Sequence, residues 1–210
     1  MLFRSRSGQS GPRHWAQPPR PVDAFDAKAD AIGALDIAGA PVANLVVSTD
    51  APDWYHPGRS GCLRLGPTVL AHFGELHPAV LSALAVDGPV VGFEVFLDAV
   101  PQPKKKAGTA KPLLKLAAFQ PVVRDFAFVV AEDVPADRIT KAAKGADKAL
   151  IADVALFDVY RGAGLGDGRK SLALAVTLQP VEATLTDEAI EAVGKKIVAA
   201  VEKQGGTLRG

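Results

Sequence analysis

The residues best suited to catalysis or metal binding are one cysteine and four histidines. They are His14, His56, Cys62, His72 and His77. Zinc ligands commonly come in close pairs, such as C-x-x-C or two histidines at i and i+4 of a helix, and neither spacing occurs. A cysteine nucleophile also needs a base and an orienting group beside it in space, and a buried structural thiol is the simpler interpretation of Cys62. We therefore predict no catalytic residue and no metal ligand in this chain.

A glycine-rich run, GAGLGDGRKS at residues 162–171, is the second candidate for chemistry, because such loops can hold phosphate groups. A Walker A loop requires Gly directly before Lys-Ser, but Arg169 occupies that position. The dinucleotide-binding fingerprint fails as well, since neither Gly162 nor Gly164 has a glycine five positions later. Both motifs join a strand to a helix, whereas this run lies between two predicted strands. It is better explained as a hairpin turn.

Charge and composition narrow the class of protein. The net charge is +1, with 7 basic and 10 acidic side chains in residues 1–100 and 12 and 13 in residues 119–210. Neither part has the excess of cations typical of strong non-specific nucleic-acid binding, so any RNA contact must be local and depend on shape. No apolar run approaches the roughly 18 residues of a transmembrane helix. The single cysteine excludes an internal disulfide and is typical of a reducing compartment.

The first hundred residues predict an antiparallel sheet with flanking helices. Met1–Pro21 lacks both periodicity and a signal-peptide core, and we interpret it as a cut end inside a longer chain, with Met1 added. Helical spacing of apolar residues predicts a helix within 22–41, and strand patterns occupy 44–49, 62–66, 68–76 and 90–98, with a short helix at 77–84. In WYHPGRSG (54–61), Pro57-Gly58 predicts a turn. The Pro- and Lys-rich run PQPKKKAGTAKP (101–112) is typical of a linker.

The last ninety residues follow the order β-α-β-β-α-β. Strands are predicted at Val122–Val130, Leu150–Tyr160, Lys170–Gln179 and 206–210, and helices at Pro135–Ala146 and Thr186–Lys203. This order is that of the ferredoxin-like fold, with two helices on one face of a four-stranded antiparallel sheet. The predicted fold class of the whole chain is α+β.

Side-chain alternation divides the second sheet into two faces. The bulky residues, among them Phe126, Phe128, Phe157 and Val159, are assigned to the side that the helices cover. The opposite side, here called the open face, receives Ala127, Asp158, Tyr160 and Ser171. An exposed Tyr on such a sheet can stack on a nucleotide base. Packing of the open face against the first half or another chain explains the same pattern equally well.

Several segments taken together resemble the C-terminal part of the bacterial phenylalanyl-tRNA synthetase beta subunit family. The resemblance follows the family in order over essentially the whole chain. It is carried by GPRHWAQPPRPVDAFDAKAD, WYHPGRSG, FGELHP, FEVFLD, FQPVVRDFAFVV, FDVYRG, KSLALAVTLQP and TLTDEAI.

The resemblance implies three parts of the chain. Residues 1–100 are expected to be a class II synthetase-like antiparallel sheet module, partial and without an active site, that packs against the alpha subunit. Residues 101–117 form a Pro/Lys-rich linker, and residues 118–210 form a ferredoxin-fold anticodon-binding domain. The sequence lacks the Arg-x-Glu and the Gly-rich, Arg-terminated strand that hold ATP in class II enzymes. The fragment alone is therefore expected to be inactive and to bind no cofactor.

The family also implies a function for the complete enzyme. It is an ATP- and Mg²⁺-dependent ligase that attaches phenylalanine to tRNA(Phe), a cytoplasmic α2β2 heterotetramer with no membrane association. Family positions that lie against the anticodon region match Ala127, Asp158, Tyr160 and Ser171. Alternation adds Asp125 near the RNA edge and directs Arg124 to the helix-side rim. The competing hypotheses are an assembly fragment without RNA contact and a small-molecule regulatory domain, the latter disfavoured because no ligand-shaped polar cluster is evident.

Overall fold

The computed structural model describes residues 1–102, 113, 116–181 and 183–209 and divides the chain into two compact units, Met1–Ala110 and Lys111–Gly210. Each unit has its own cluster of buried apolar side chains. Most of the predicted linker lies outside the described residues, so the boundaries 1–100, 101–117 and 118–210 stay predictions. Within the described ranges, no helix is long and apolar enough to cross a membrane.

The first unit is an antiparallel sheet of five strands in the order β1-β5-β4-β3-β2, with helix α1 packed on β4 and β5. This arrangement confirms the predicted antiparallel sheet with flanking helices. Its elements are β1 (Leu2–Ser7), α1 (Ala24–Ile37), β2 (Val46–Ser48), β3 (Tyr55–Leu65), β4 (Thr68–Leu76), α2 (Pro78–Ala83) and β5 (Val90–Val95).

Helix α1 begins at a capping box in which Asp23 and Asp26 accept each other's backbone N–H groups. Such a cap stabilises a helix by about 0.5–2 kcal/mol. Arg20 donates two hydrogen bonds of 2.8 Å to the Asp26 carboxylate, and this contact holds the pKa of Asp26 below its usual range. The helix then buries three small or apolar side chains against the sheet: Ala27, Ala31 and Leu35.

One strand of the first unit was not predicted, and one predicted turn is wrong. The segment Met1–Pro21, in which no periodicity is evident, contains β1, which pairs with β5 from Leu2 opposite Val95 to Ser7 opposite Val90. None of its side chains is buried, because it is an edge strand, so no apolar period reveals it.

The predicted turn at Pro57-Gly58 is instead part of β3. The pairing with β4 passes from Tyr55 opposite Leu76 to Ser60 opposite Gly74, so the intervening residues bulge out of the strand. Short hydrogen bonds within this bulge hold it together, since the Ser60 hydroxyl donates to the His56 carbonyl at 2.6 Å. A β-bulge accommodates the Pro-Gly pair and its local hydrogen bonds without ending the strand.

The second unit confirms the ferredoxin-like fold. Its antiparallel sheet has the order β7-β8-β6-β9, and helices α3 and α4 pack on one side. The elements are β6 (Val122–Ala131), α3 (Ala136–Gly145), β7 (Ile151–Tyr160), β8 (Arg169–Leu178), α4 (Asp187–Glu202) and β9 (Thr207–Leu208). The glycine-rich run lies between β7 and β8, as predicted for a hairpin.

The core of the second unit lies between the two helices and the sheet. Phe128 and the alternate β8 residues from Leu172 to Leu178 are completely or almost completely buried against Ile139 and Ile197. At the end of α3, Asp147 accepts N–H groups of Ala149 and Leu150 and the Nζ of Lys196, the last at 2.8 Å. These contacts, the Lys196 hydrogen bond first, lower the pKa of Asp147.

Candidate nucleic-acid interface

The strand register of the second sheet places the five predicted RNA-binding residues on the side opposite the helices. Leu172, Leu174, Val176 and Leu178 of β8 are buried under the helices, so the residues between them and their cross-strand partners face the other way. In rows running from β7 through β8 to β6, the open face presents Tyr160–Ser171–Val129, Asp158–Ala173–Ala127, Ala155–Ala175–Asp125 and Asp153–Thr177–Val123.

Two register shifts in β7 decide which of its side chains reach the open face. They lie between Ile151 and Asp153 and between Leu156 and Asp158. The second shift leaves Phe157 without a partner in β8, and its side chain is 59% exposed, so the prediction that the helices cover it is wrong. Val159, opposite Leu172, does lie on the helix side. An extra residue interrupts the strict alternation of side chains between the two faces of the sheet.

Tyr160 is the only aromatic residue in these rows, and its ring has neighbours on two sides. The Arg209 guanidinium lies over the ring, 5.5 Å from its centroid. The phenol hydroxyl donates a long hydrogen bond of 3.4 Å to the carbonyl of Ala163. Gly162 packs so closely that a Cβ there would lie 2.5 Å from the phenol oxygen. The side chain is 41% exposed, so part of the ring is accessible to a ligand.

The other predicted residues differ in accessibility. Asp125 and Asp158 are exposed and Ala127 is half-buried, whereas Ser171 is only 4% exposed. A side chain buried to this degree presents almost no surface to RNA in this conformation. The small side chains at Ala127, Ala173 and Ala175 leave the backbone of the central strands within reach of a ligand.

Arg124 and Asp125 lie on opposite sides of the sheet, as predicted. Arg124 pairs with Val176, whose side chain is buried under the helices, and it lines a groove of about 620 Å³ beside α4 with Asp187 and Glu191. Asp125 lies in the open-face rows with Asp153 and Asp158. By the same alternation Arg169 and Arg209 also belong to the open face, so that face combines three carboxylates with two guanidinium groups.

The histidines mostly stabilise local turns. The Nδ1 atoms of His14, His56 and His77 each accept the backbone N–H two residues further on, at 3.0–3.2 Å. His72 lies in register between Cys62 and Glu94, and burial lowers the pKa of its imidazole.

Cys62 is completely buried, and its thiol donates to the Ser48 hydroxyl at 3.7 Å. Across the described part of the chain, no three His, Cys, Asp or Glu side chains form a group able to hold a metal ion.

Sequence reasoning missed Arg209. The residue falls in the predicted last strand, GTLRG, just after the observed β9. Alternation places it on the same face as Thr207, which lies opposite Val129 of the open face. The signal was therefore available, but the strand is too short to show a period. Its contact with the Tyr160 ring depends on tertiary structure and could not be read from the sequence.

Comparison with known proteins gives a consistent result for both units. Residues 6–97 match the family model of the phenylalanyl tRNA synthetase beta chain CLM domain, and residues 117–209 match that of the ferredoxin-fold anticodon binding domain. Similar curated proteins are the phenylalanine–tRNA ligase beta subunits of Rhodospirillum rubrum (60% identity over 97% of this chain), Paramagnetospirillum magneticum (58% over 98%) and Mesorhizobium japonicum (56% over 94%). The chain spans only 25–26% of the length of these relatives.

Proposed function

Because the chain belongs to the phenylalanyl-tRNA synthetase beta chain family, we propose that its second unit binds the anticodon region of tRNA(Phe) on the open face. Two family models, one for each unit, and the relatives of 54–60% identity support the assignment. In the complete enzyme, ATP and Mg²⁺ drive attachment of phenylalanine to tRNA(Phe). This part of the beta subunit holds the anticodon stem-loop and has no ligase activity of its own.

The observation that carries the proposal is the register of β6, β7 and β8. It gathers Asp125, Ala127, Asp158 and Tyr160 on the side of the sheet that α3 and α4 do not cover. Single-stranded nucleotides are held by aromatic stacking and by hydrogen bonds to base edges. In our proposal, Tyr160 stacks on a base, the exposed carboxylate of Asp158 accepts from an exocyclic amine, and Ala127 lets the base approach the backbone.

The near balance of charges in the second half supports recognition by fit. The three carboxylates of the open face outnumber its two guanidinium groups, which favours an approach of the anticodon loop with its bases toward the sheet. Binding of the fragment by itself is then weak, and the complete enzyme supplies further tRNA contacts.

The first unit has a separate proposed role, in assembly with the alpha subunit of an α2β2 enzyme in the cytoplasm. It exposes large aromatic side chains, with Trp15 at 95%, Phe25 at 75% and Phe3 at 69%. Exposed apolar groups of this size are favourable in protein interfaces. A fragment that served assembly alone, without RNA contact, is the second candidate function, and these residues favour it for the first unit.

Binding of the 210-residue chain to the anticodon stem-loop of tRNA(Phe) tests the RNA proposal. A matched stem-loop with the same stem and a scrambled loop is the control. We expect measurable affinity for the first RNA and at least a several-fold weaker affinity for the second, because the stem is common to both. Equal affinity would show that the chain does not read the loop, and absence of binding to either would favour the assembly function.

A further inference from the structure

The contact between Arg209 and Tyr160 joins the two edges of the second sheet. Tyr160 ends β7 at one edge, whereas Arg209 directly follows β9 at the other, where its N–H donates to the Ala127 carbonyl at 2.8 Å. Strands in a sheet lie about 4.8 Å apart, so the two edge strands are roughly 14 Å apart. The two side chains therefore meet above the central strands β6 and β8.

Ser171 lies on a central strand between these two edges. It is in the middle strand pair of the sheet, directly opposite Tyr160 on one side and Val129 on the other. Although it is on the side without helices, it is only 4% exposed. Side chains that meet over the central strands explain why a serine on the open face is shielded from solvent.

The forces that close this contact are weak. The Arg209 guanidinium is held on the exposed phenol ring by a small cation–π attraction. The ring itself is held by a long hydrogen bond of 3.4 Å from the Tyr160 hydroxyl to Ala163. Arg209 is exposed, so water can replace the ring as its neighbour. The contact can open without disturbing the core.

Resting on the function proposed above, we propose that Arg209 and Tyr160 form a clasp that closes over the open face in the free protein and opens when RNA binds. On opening, a base takes the place of the guanidinium on the phenol ring, and Arg209 binds an RNA phosphate. Ser171 then becomes accessible. A planar, permanently charged guanidinium suits both partners, ring and phosphate. With Arg169, it offsets part of the charge of the three open-face carboxylates beside an RNA backbone.

Thiol labelling tests the clasp without RNA. Ser171→Cys is introduced into the 210-residue chain, where the natural Cys62 is completely buried. Arg209→Ala is then added, with Lys203→Ala as a matched control that removes an exposed cation at the end of α4. We expect Arg209→Ala to accelerate alkylation of the new thiol about two- to fivefold, the factor that corresponds to an exposed cation–π contact. Equal rates in the Arg209 and Lys203 variants would overturn the clasp.

The salt dependence of RNA binding tests the second part. For single-stranded RNA, each phosphate contact contributes about 0.7 to the slope of log affinity against log salt. Arg209→Ala should lower the slope by about this amount, whereas Lys203→Ala should leave it unchanged. If the wild-type chain binds the stem-loop but Arg209→Ala leaves the slope unchanged, the inferred role of Arg209 is wrong and the proposed function stands. Loss of all stem-loop binding by the wild-type chain overturns the proposed function, while the labelling result still reports on the clasp.

Discussion

Replacement of Tyr160 by Ala removes the one ring in the open-face rows on which a base can stack. Alanine substitution of an aromatic that stacks on a single-stranded base costs about 1–3 kcal/mol. In the free protein the same ring is in contact with Arg209, an attraction of about 0.5–1 kcal/mol that RNA must displace. The midpoints of the two ranges leave a net loss of about 1.25 kcal/mol, or roughly 8-fold in affinity.

The assay is fluorescence anisotropy of a labelled anticodon stem-loop titrated with the 210-residue chain at fixed salt. Tyr160→Phe keeps the ring and loses only the 3.4 Å contact to Ala163, so its affinity should remain within about twofold of wild type. Phe157→Ala removes an exposed aromatic from the same strand and should have no effect, because Phe157 has no partner in the open-face rows.

Unchanged affinity of Tyr160→Ala, with its thermal unfolding also unchanged, would refute the stacking argument. A similar loss in Phe157→Ala would refute it in another way, since the effect would then come from exposed aromatic surface in general. In the complete enzyme that we propose, Tyr160→Ala should raise the KM for tRNA and leave the KM for phenylalanine unchanged.

Three further substitutions probe the neighbourhood of the site and the core. Gly162→Ala places a Cβ against the Tyr160 phenol and should displace the ring. Stem-loop binding should then weaken by several fold without loss of stability. The control Gly145→Ala, which has open space around the added Cβ, should leave binding unchanged. Leu174→Ala should lower the free energy of unfolding of the second unit by about 2–5 kcal/mol, measured by urea denaturation, because the side chain is completely buried. Asp147→Asn keeps an oxygen that can accept the N–H groups of Ala149 and Leu150 but removes the negative charge beside Lys196, so it should lower that free energy by about 0.2–1 kcal/mol at neutral pH. Because the pKa of Asp147 is lowered in the folded state, its contribution is present above the unfolded pKa of about 3.9 and is lost as the pH falls through the folded pKa. Wild type and Asp147→Asn should therefore converge in strongly acidic urea titrations, and a constant difference at all pH values would contradict this explanation.

The sequence predicts most elements of the second unit because each has a strong apolar period. The predicted helix Thr186–Lys203 is observed as Asp187–Glu202, and the predicted strand Lys170–Gln179 as Arg169–Leu178. Both bury one complete face in a single core, and for such elements burial imposes the period that a reader of the sequence can detect. Asp125, Ala127 and Ser171 fall on one face because β6 and β8 pair without a register shift. Asp158 and Tyr160 join them because both follow the second register shift in β7.

Features that depend on partner strands were not predictable. Strand β1 has no buried residue and exists only because β5 offers an unpaired edge. The displacement of Phe157 follows from a register shift that leaves no mark on apolar periodicity. The contact of Arg209 with Tyr160 joins side chains from opposite edges of the sheet, 49 positions apart in the sequence. Sequence periodicity carries no information about such contacts.

Amide chemical-shift mapping of the 210-residue chain with the anticodon stem-loop of tRNA(Phe) tests RNA binding by the open face most directly. Saturating RNA should shift the amides of Ala127, Asp158, Tyr160 and Arg209 and leave those of Ile197 in α4 unchanged. Shifts confined to α4 and its groove, or no shifts at all, would show that the open face does not bind the anticodon.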